Sequence, residues 1–461
     1  MRLFAVITLV LLSLGSRGQG IYRRASLWHV VDSNVLLTSD FAQVDTGTKL
    51  LPLLNAAVLF GPEFTTGASA PMALALGHRS KQWSAEAYAG VQGIVNEPAT
   101  AFYSLKQRSE GTVKPLLGGY VQYQSKLPVT VRMGYDRLFI GPGIHSLLLS
   151  NQADPFPFLR LQAKIWRFNY SFVTGWLDNI SPAGDFDEFS RNKGMVTHVL
   201  AYRPSDKFYI EFFESIVWQT RDSLRSRWVE PAYLNPLVFL RPVEFSLGSP
   251  DNAVAGFSIQ WRLGKAFYLY GQGILDEFLL RELRAGNGWW ANKFGLQAGL
   301  KWFNALGIAG LTVIGEANGV RPFTYTHQTT RTNYAHARRP LAHSWGANFG
   351  QLAGLVQYKK KRHRIQGSAE WGLKGFSETA GREGEDLFES YNRRSRDYGN
   401  TWLQGNRETL YNVQLSYGYC PKNWRKTELF ASFRVLKTQK SEFKGLELGL
   451  RTPFFTAEPT Q

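Results

Sequence analysis

Between residues 321 and 347 the chain carries Arg321, Arg331, Arg338 and Arg339, with Tyr325, Tyr334 and Trp345 interleaved and no acidic residue. Guanidinium forks pair bidentately with carboxylates and phosphates. Aromatic faces offer a flat apolar surface to the C–H face of a sugar ring. These seven residues form the candidate polysaccharide-binding set. The plainer alternative is a solvated loop that touches lipopolysaccharide phosphates. His327, His336 and His343 fall in the same stretch. Their spacing is irregular and neither Cys nor carboxylate accompanies them, so no metal centre is expected.

A second stretch runs from Gly141, Pro142 and Gly143 to Ser150 and Asn151. It either folds into an interior and closes it, or simply makes a tight turn, and turn chemistry alone favours the second. Residues 219–252 hold Trp228, Tyr233, Phe239 and Phe245 among Pro231, Pro236 and Pro242. Such a loop is expected to pack into or across a barrel mouth. Trp289 and Trp290 are expected in an interfacial aromatic belt. Residues 374–408 mix acids with Arg393, Arg394 and Arg396 and read as a mobile outer loop. No G-x-S-x-G, P-loop or H-E-x-x-H occurs, and the His residues are scattered. The expectation is therefore no catalytic residue, no cofactor and no enzyme.

The elements that must position these residues are strands. Residues 253–263 alternate Ala255, Phe257, Ile259, Trp261 and Leu263 with Gly256, Ser258, Gln260 and Arg262. Residues 266–275 repeat the pattern after a turn at Gly264-Lys265. Successive strand side chains point to opposite faces, so one face is apolar and the other wetter. The pattern recurs at 56–60, 71–79, 82–95, 115–125, 128–138, 157–166, 169–177, 195–203 and 206–218. It continues at 292–302, 307–318, 348–359, 362–373, 409–419, 427–436 and 443–452, an even total. Short links alternate with long ones, as periplasmic turns and outer loops do in outer-membrane barrels. Arg132, Arg160, Lys164, Arg262, Lys301, Glu370, Arg434, Glu447 and Arg451 fall on the wetter face. A charge facing lipid at mid-depth costs about 2–4 kcal/mol, so these residues are assigned to a lumen. The expected fold is all-β: a transmembrane antiparallel β-barrel of about 18 strands. It occupies residues 55–455, after a periplasmic lead-in at 19–54 and before a tail at 456–461.

Export is expected too. Arg2, an apolar run from Leu3 to Leu14, and Gly15-Ser16-Arg17-Gly18 read as a cleaved signal peptide, residues 1–18. No other apolar run has spanning length. The one cysteine, Cys420, excludes an intrachain disulfide framework. The formal net charge is +17. An exported basic surface meets anionic lipopolysaccharide and surface glycans rather than nucleic acid.

Three stretches carry a family resemblance: RLFIGPGIHSLLLSNQADPFPFLR at 137–160, KGMVTHVLAYRPSDKFYIEFFESIVW at 193–218, and 231–277 with PAYLNPLVFLRPVEF, DNAVAGF and YLYGQGILDE. In order and spacing they resemble the Wzi capsule-assembly family in its Bacteroidetes form, which includes relatives assigned to gliding motility. The resemblance implies an eighteen-stranded outer-membrane barrel that binds surface polysaccharide and assists capsule assembly. It brings no catalytic residue. The expected partners are capsular or other surface polysaccharide, lipopolysaccharide and outer-membrane lipid, and the expected state is a monomer. The rival expectation is a diffusion channel or transporter whose basic lumen passes anionic solutes.

Overall fold

The computed structural model describes residues 47–54, 57–59, 67–69, 72–93, 113–179, 193–220, 226–234, 251–378, 382–422, 428–439 and 442–451. The expected signal peptide, residues 19–46 of the expected lead-in and the expected C-terminal tail lie outside these. One antiparallel sheet of 18 strands dominates. Its strands are β1 (Gly47–Leu54), β2 (Met72–Arg79), β3 (Trp83–Gly93), β4 (Val113–Gln124), β5 (Val129–Asp136), β6 (Phe156–Ile165), β7 (Phe168–Leu177), β8 (Lys193–Ser205) and β9 (Phe208–Gln219). The series continues with β10 (Asn252–Leu263), β11 (Phe267–Leu275), β12 (Phe294–Phe303), β13 (Leu311–Val320), β14 (Phe349–Lys360), β15 (His363–Phe376), β16 (Asn406–Tyr419), β17 (Glu428–Thr438) and β18 (Glu442–Arg451).

Each strand pairs with the next in sequence, from Gly47↔Arg79 in the first ladder to Glu428↔Arg451 in the last. Cα atoms of β18 come within 8 Å of β1 and of the short strand Ala57–Leu59. The fold is an outer-membrane β-barrel, whose backbone hydrogen bonds run between neighbouring strands. Links after even-numbered strands are short, such as the Trp166-Arg167 turn and the turn at Gly264 (φ 66°). Links after odd-numbered strands are long, apart from the one between β17 and β18. The long loops therefore share one end of the barrel.

One correction concerns the start. The sheet begins with Gly47–Leu54, inside the stretch assigned to the lead-in. The expected strand at 56–60 instead contributes Ala57–Leu59 to a small hairpin with Gly67–Ser69. The sequence KLLPLL is apolar at every position after Lys49, so it carries no period-two signal, and Pro52 reads as a breaker.

The faces sort as alternation requires. Leu296, Leu300, Leu352, Val356, Val413, Leu415 and Phe433 are exposed on the outer wall. Their neighbours Gln297, Lys301, Gln351 and Ser432 are buried on the inner one. Exposed Trp83, Trp166, Trp261 and Phe267 gather towards the short-turn end, where amphipathic rings suit a membrane interface. Leu352 lies on the outer wall, well inside β14. Leu352→Arg is expected to destabilise the folded barrel in vesicles by about 2–4 kcal/mol, read by denaturant unfolding. A cost near zero would mean that this wall does not face lipid.

Candidate functional site

The long-loop half of the barrel is filled, not hollow. Its largest apolar cluster joins inward residues of the wall (Val173, Met195, Phe213, Val217, Val254, Ile274) to Leu147, Leu148 and Leu149 of the 137–155 loop. Leu341, Ala342 and Trp345 of the 321–348 loop complete it. These loop residues are at most 1 % exposed. Burying each leucine contributes about 1.5–3 kcal/mol, so the two loops form the barrel's own core.

Polar wall residues hold the first loop at its backbone. The Glu316 carboxylate, on β13, accepts from Ile144 N at 2.7 Å and His145 N at 3.1 Å. It also accepts from Tyr270 OH at 2.8 Å and Asn318 Nδ2 at 2.8 Å. Gln272 Oε1 accepts from Leu147 N at 2.9 Å, and Gln297 Nε2 donates to His145 O at 3.0 Å. Gly143 belongs here because a Cβ would run into the Glu316 carboxylate. At Gly141, with φ of 138°, a Cβ would meet the Gln272 amide. Pro142 is buried beside them. Ser150 closes the segment: its N–H donates to Leu341 O at 2.7 Å and its hydroxyl to Ala342 O. Asn151 follows in a partly exposed turn. Residues 141–151 are thus folded inside the barrel, and the simple-turn reading is incomplete.

The predicted binding set divides. Tyr325 and Tyr334 are fully buried and stacked at 5.8 Å. Their hydroxyls donate to Leu147 O at 2.8 Å and Leu148 O at 2.9 Å. Trp345 is 1 % exposed and packs on Phe349. None of these three rings offers a face to a sugar from solution, which corrects the aromatic part of the expectation. They brace the plug instead. Arg331, Arg338 and Arg339 are partly exposed. Arg339 Nη1 donates to Gln152 O at 3.4 Å, and Arg321 Nη2 donates to Asn400 O at 3.4 Å. Arg321 sits over the Phe294 ring, and burial lowers its pKa.

His327, His336 and His343 do not converge on one another. His327 Nδ1 meets Thr332 Oγ1 at 2.6 Å, and burial, then Lys293, pushes its pKa down to about 4. His336 lies between Asp178 N and Pro155 O. His343 Nε2 meets Gln351 Oε1 at 2.8 Å, and its ring lies 4.5 Å from that of His145. Sequence reasoning did not single out His145. Its Nδ1 lies 2.9 Å from Glu316 Oε1 and its Nε2 3.6 Å from Glu370 Oε1. Burial opposes its charge, yet the hydrogen bonds and attraction of the two carboxylates carry its pKa up to about 9. Burial, then the charge on His145, holds His343 well below the usual range.

Two other loops depart from expectation. Residues 382–405 are packed, not loose: Leu387 is fully buried, and its carbonyl accepts from Asn333 Nδ2 at 2.7 Å. Lys374 Nζ donates to Trp345 O and, at 3.1 Å, to Glu385 O. The described part of the 220–251 loop lies against the outside of the wall, not across the mouth. Tyr233, fully buried, clusters with the outward residues Phe172, Val196, Ile216, Trp218 and Ala253. Its carbonyl meets His198 Nε2 at 3.3 Å, and its hydroxyl donates to Asp251 Oδ2 at 2.6 Å. His198 and Glu214 are register partners on the outward face, and lipid could not satisfy them. Phe239, Phe245, Pro236 and Pro242 fall outside the described residues.

No family profile matches the chain, and no curated relative does. Among solved structures it is similar to Wzi of Escherichia coli, described as an outer-membrane protein involved in group 1 capsule assembly and a carbohydrate-binding β-barrel. The TM-score is 0.56 at 14 % identity, over 88 % of this chain and 83 % of that one. OprD of Pseudomonas aeruginosa aligns with a TM-score of 0.48 at 10 % identity, over 92 % of this chain and all of the other. At these identities the likeness is one of fold.

Two outcomes follow from the plug geometry. Glu316→Ala leaves the amides of Ile144 and His145 without their acceptor, at about 1–3 kcal/mol each. At about pH 6.5 the variant is expected to show frequent openings in planar bilayers where the unaltered barrel is silent; equal silence would mean that Glu316 does not hold the plug. The second concerns pH. A folded pKa raised above about 6.5 stabilises fully below that value and is lost as pH rises through about 9. Openings of the unaltered barrel should therefore grow between about pH 6.5 and pH 9, and His145→Gln should remove that dependence. A flat profile in the unaltered protein would exclude it.

Proposed function

We propose that this chain is an exported outer-membrane barrel that binds surface polysaccharide at its long-loop end and assists capsule assembly at the cell surface. A cleaved signal peptide delivers it, and it acts as a monomer among lipopolysaccharide and outer-membrane lipid. It does so without catalytic residues, cofactor or nucleic acid. The observation that carries this reading is the filled lumen: Glu316, Gln272 and Gln297 bind the backbone of residues 144–147, and the cavity a solute would cross is apolar core. A rigid closed barrel is a platform. The likeness to a carbohydrate-binding β-barrel supports the same reading. The inner wall also carries Arg132, Arg160 and Lys301, which is the observation favouring an anionic-solute channel as second reading. That reading requires the plug to leave.

The deciding experiment pairs two assays on the purified folded barrel. Retention of surface polysaccharide from the source cells, with no steady conductance in planar bilayers, is the expected result. Conductance without retention would replace the anchor by the channel.

A further inference from the structure

With Tyr325, Tyr334 and Trp345 buried, an aromatic binding face must lie elsewhere. The loop between β11 and β12 and the loop between β15 and β16 meet over the start of the 321–348 loop. They are joined backbone to backbone: Trp290 N donates to Asp397 O, Gly399 N to Asn287 O and Asn400 N to Gly288 O, each at 2.9 Å. Trp290 is the keel of this clasp, 8 % exposed, packed on Phe323 and Tyr391 with the Arg394 guanidinium 4.1 Å above its ring. These contacts answer the expectation of a membrane belt for the Trp289-Trp290 pair.

Trp289 lies beside Trp290, the ring centroids 6.0 Å apart. It is only partly buried and lies 5.0 Å from Tyr398, their planes 46° apart. Tyr398 is 52 % exposed. Two tilted rings on a hydrogen-bonded scaffold form a shallow aromatic notch that needs no rearrangement to receive a ligand, which limits the ordering cost of binding. Trp228 is also exposed, at 63 %, but it stacks on Trp176 of the outward wall, where a membrane-interface role accounts for it.

The rim of the notch identifies the ligand class. Arg394 pairs with Asp397 at 2.6 Å, Arg396 with Glu383 at 3.0 Å and Arg281 with Glu282 at 2.9 Å. These three guanidinium groups already have their carboxylates, so they offer donors and acceptors without surplus positive charge. A phosphate or uronate would have to break these pairs. A neutral sugar ring would not: its C–H face covers the aromatic surface and its hydroxyls bond to the ion pairs at the edge.

We infer that the Trp289–Tyr398 notch is a saccharide-stacking site selective for neutral pyranose rings, an inference that rests on the polysaccharide-binding reading above. The test measures retention of surface polysaccharide from the source cells on the purified full-length barrel, between about 0.05 M and about 0.5 M salt. The unaltered barrel is expected to retain the polysaccharide about equally across the series, because ring stacking is not screened. Trp289→Ala and Tyr398→Ala should each weaken retention about tenfold. Tyr398→Phe keeps the ring and should retain, which separates loss of stacking from misfolding, and Trp228→Ala should be neutral. Full retention by both alanine variants would overturn the notch and leave the anchor in place, as would retention that collapses with salt, since that outcome points to the arginines of the 321–348 loop. No retention by the unaltered barrel would remove the polysaccharide-binding reading and this site with it.

Discussion

The Glu316 carboxylate is the contact on which the interior depends. A closed barrel of this size encloses more volume than its wall side chains fill, and the chain meets the deficit with its own loops. A loop brought into a wall brings backbone N–H groups, and buried unpaired amides are expensive. Glu316 takes two of them from consecutive residues, while Tyr270, Asn318 and the His145 ring complete its coordination. With 144 and 145 fixed, the three leucines that follow are aimed into the cluster with Val217, Ile274 and Trp345. Tyr325 and Tyr334 then reach the carbonyls of Leu147 and Leu148. One acceptor on one strand thereby sets the register of two loops.

The same accounting explains the outside. A lipid-facing wall admits apolar side chains and little else, yet β8 and β9 place His198 and Glu214 outward. Both are buried, and Tyr233 lies against His198, its carbonyl 3.3 Å from Nε2. Arg227, bound to both Asp251 and Glu230, ties that cover down. Loops on this barrel therefore serve wherever a strand carries the wrong polarity for its surroundings: inside, where apolar wall needs company, and outside, where polar wall needs shelter.

This also shows why strands were legible in the sequence and the plug was not. Period-two alternation marks a wall with lipid on one side and water on the other, and from Met72 onward it located the sheet. Link lengths located the long-loop end. Alternation fails where both faces are apolar, as in β1. Composition placed Tyr325, Tyr334 and Trp345 at a binding surface because an aromatic ring carries no local mark of burial. The missed signal lay in pairs far apart in sequence: a glutamate inside β13 and the Gly-Pro-Gly turn at residues 141–143. Nothing in the spacing joins them. Trp289 and Tyr398 were equally hard to bring together, since their loops meet only after β12 to β15 are laid side by side.

A barrel with a filled long-loop half has limited surface on which to be specific. Its wall is committed to lipid, its interior to its own loops, and its short-turn end to tight turns. What remains is the cap where the long loops meet, and there the described residues 287–290 and 397–400 are joined backbone to backbone. Rigidity there has a physical use. A polymer that touches one site at a time gains affinity mainly when each contact avoids an ordering cost, and repeats along the polymer raise the effective concentration for rebinding. The plug supplies that rigidity from beneath: Phe323, packed against Trp290, opens the 321–348 loop, whose two tyrosines bond to the carbonyls of the segment that Glu316 holds. Closure of the lumen and stiffness of the cap are therefore one property, carried by one set of contacts.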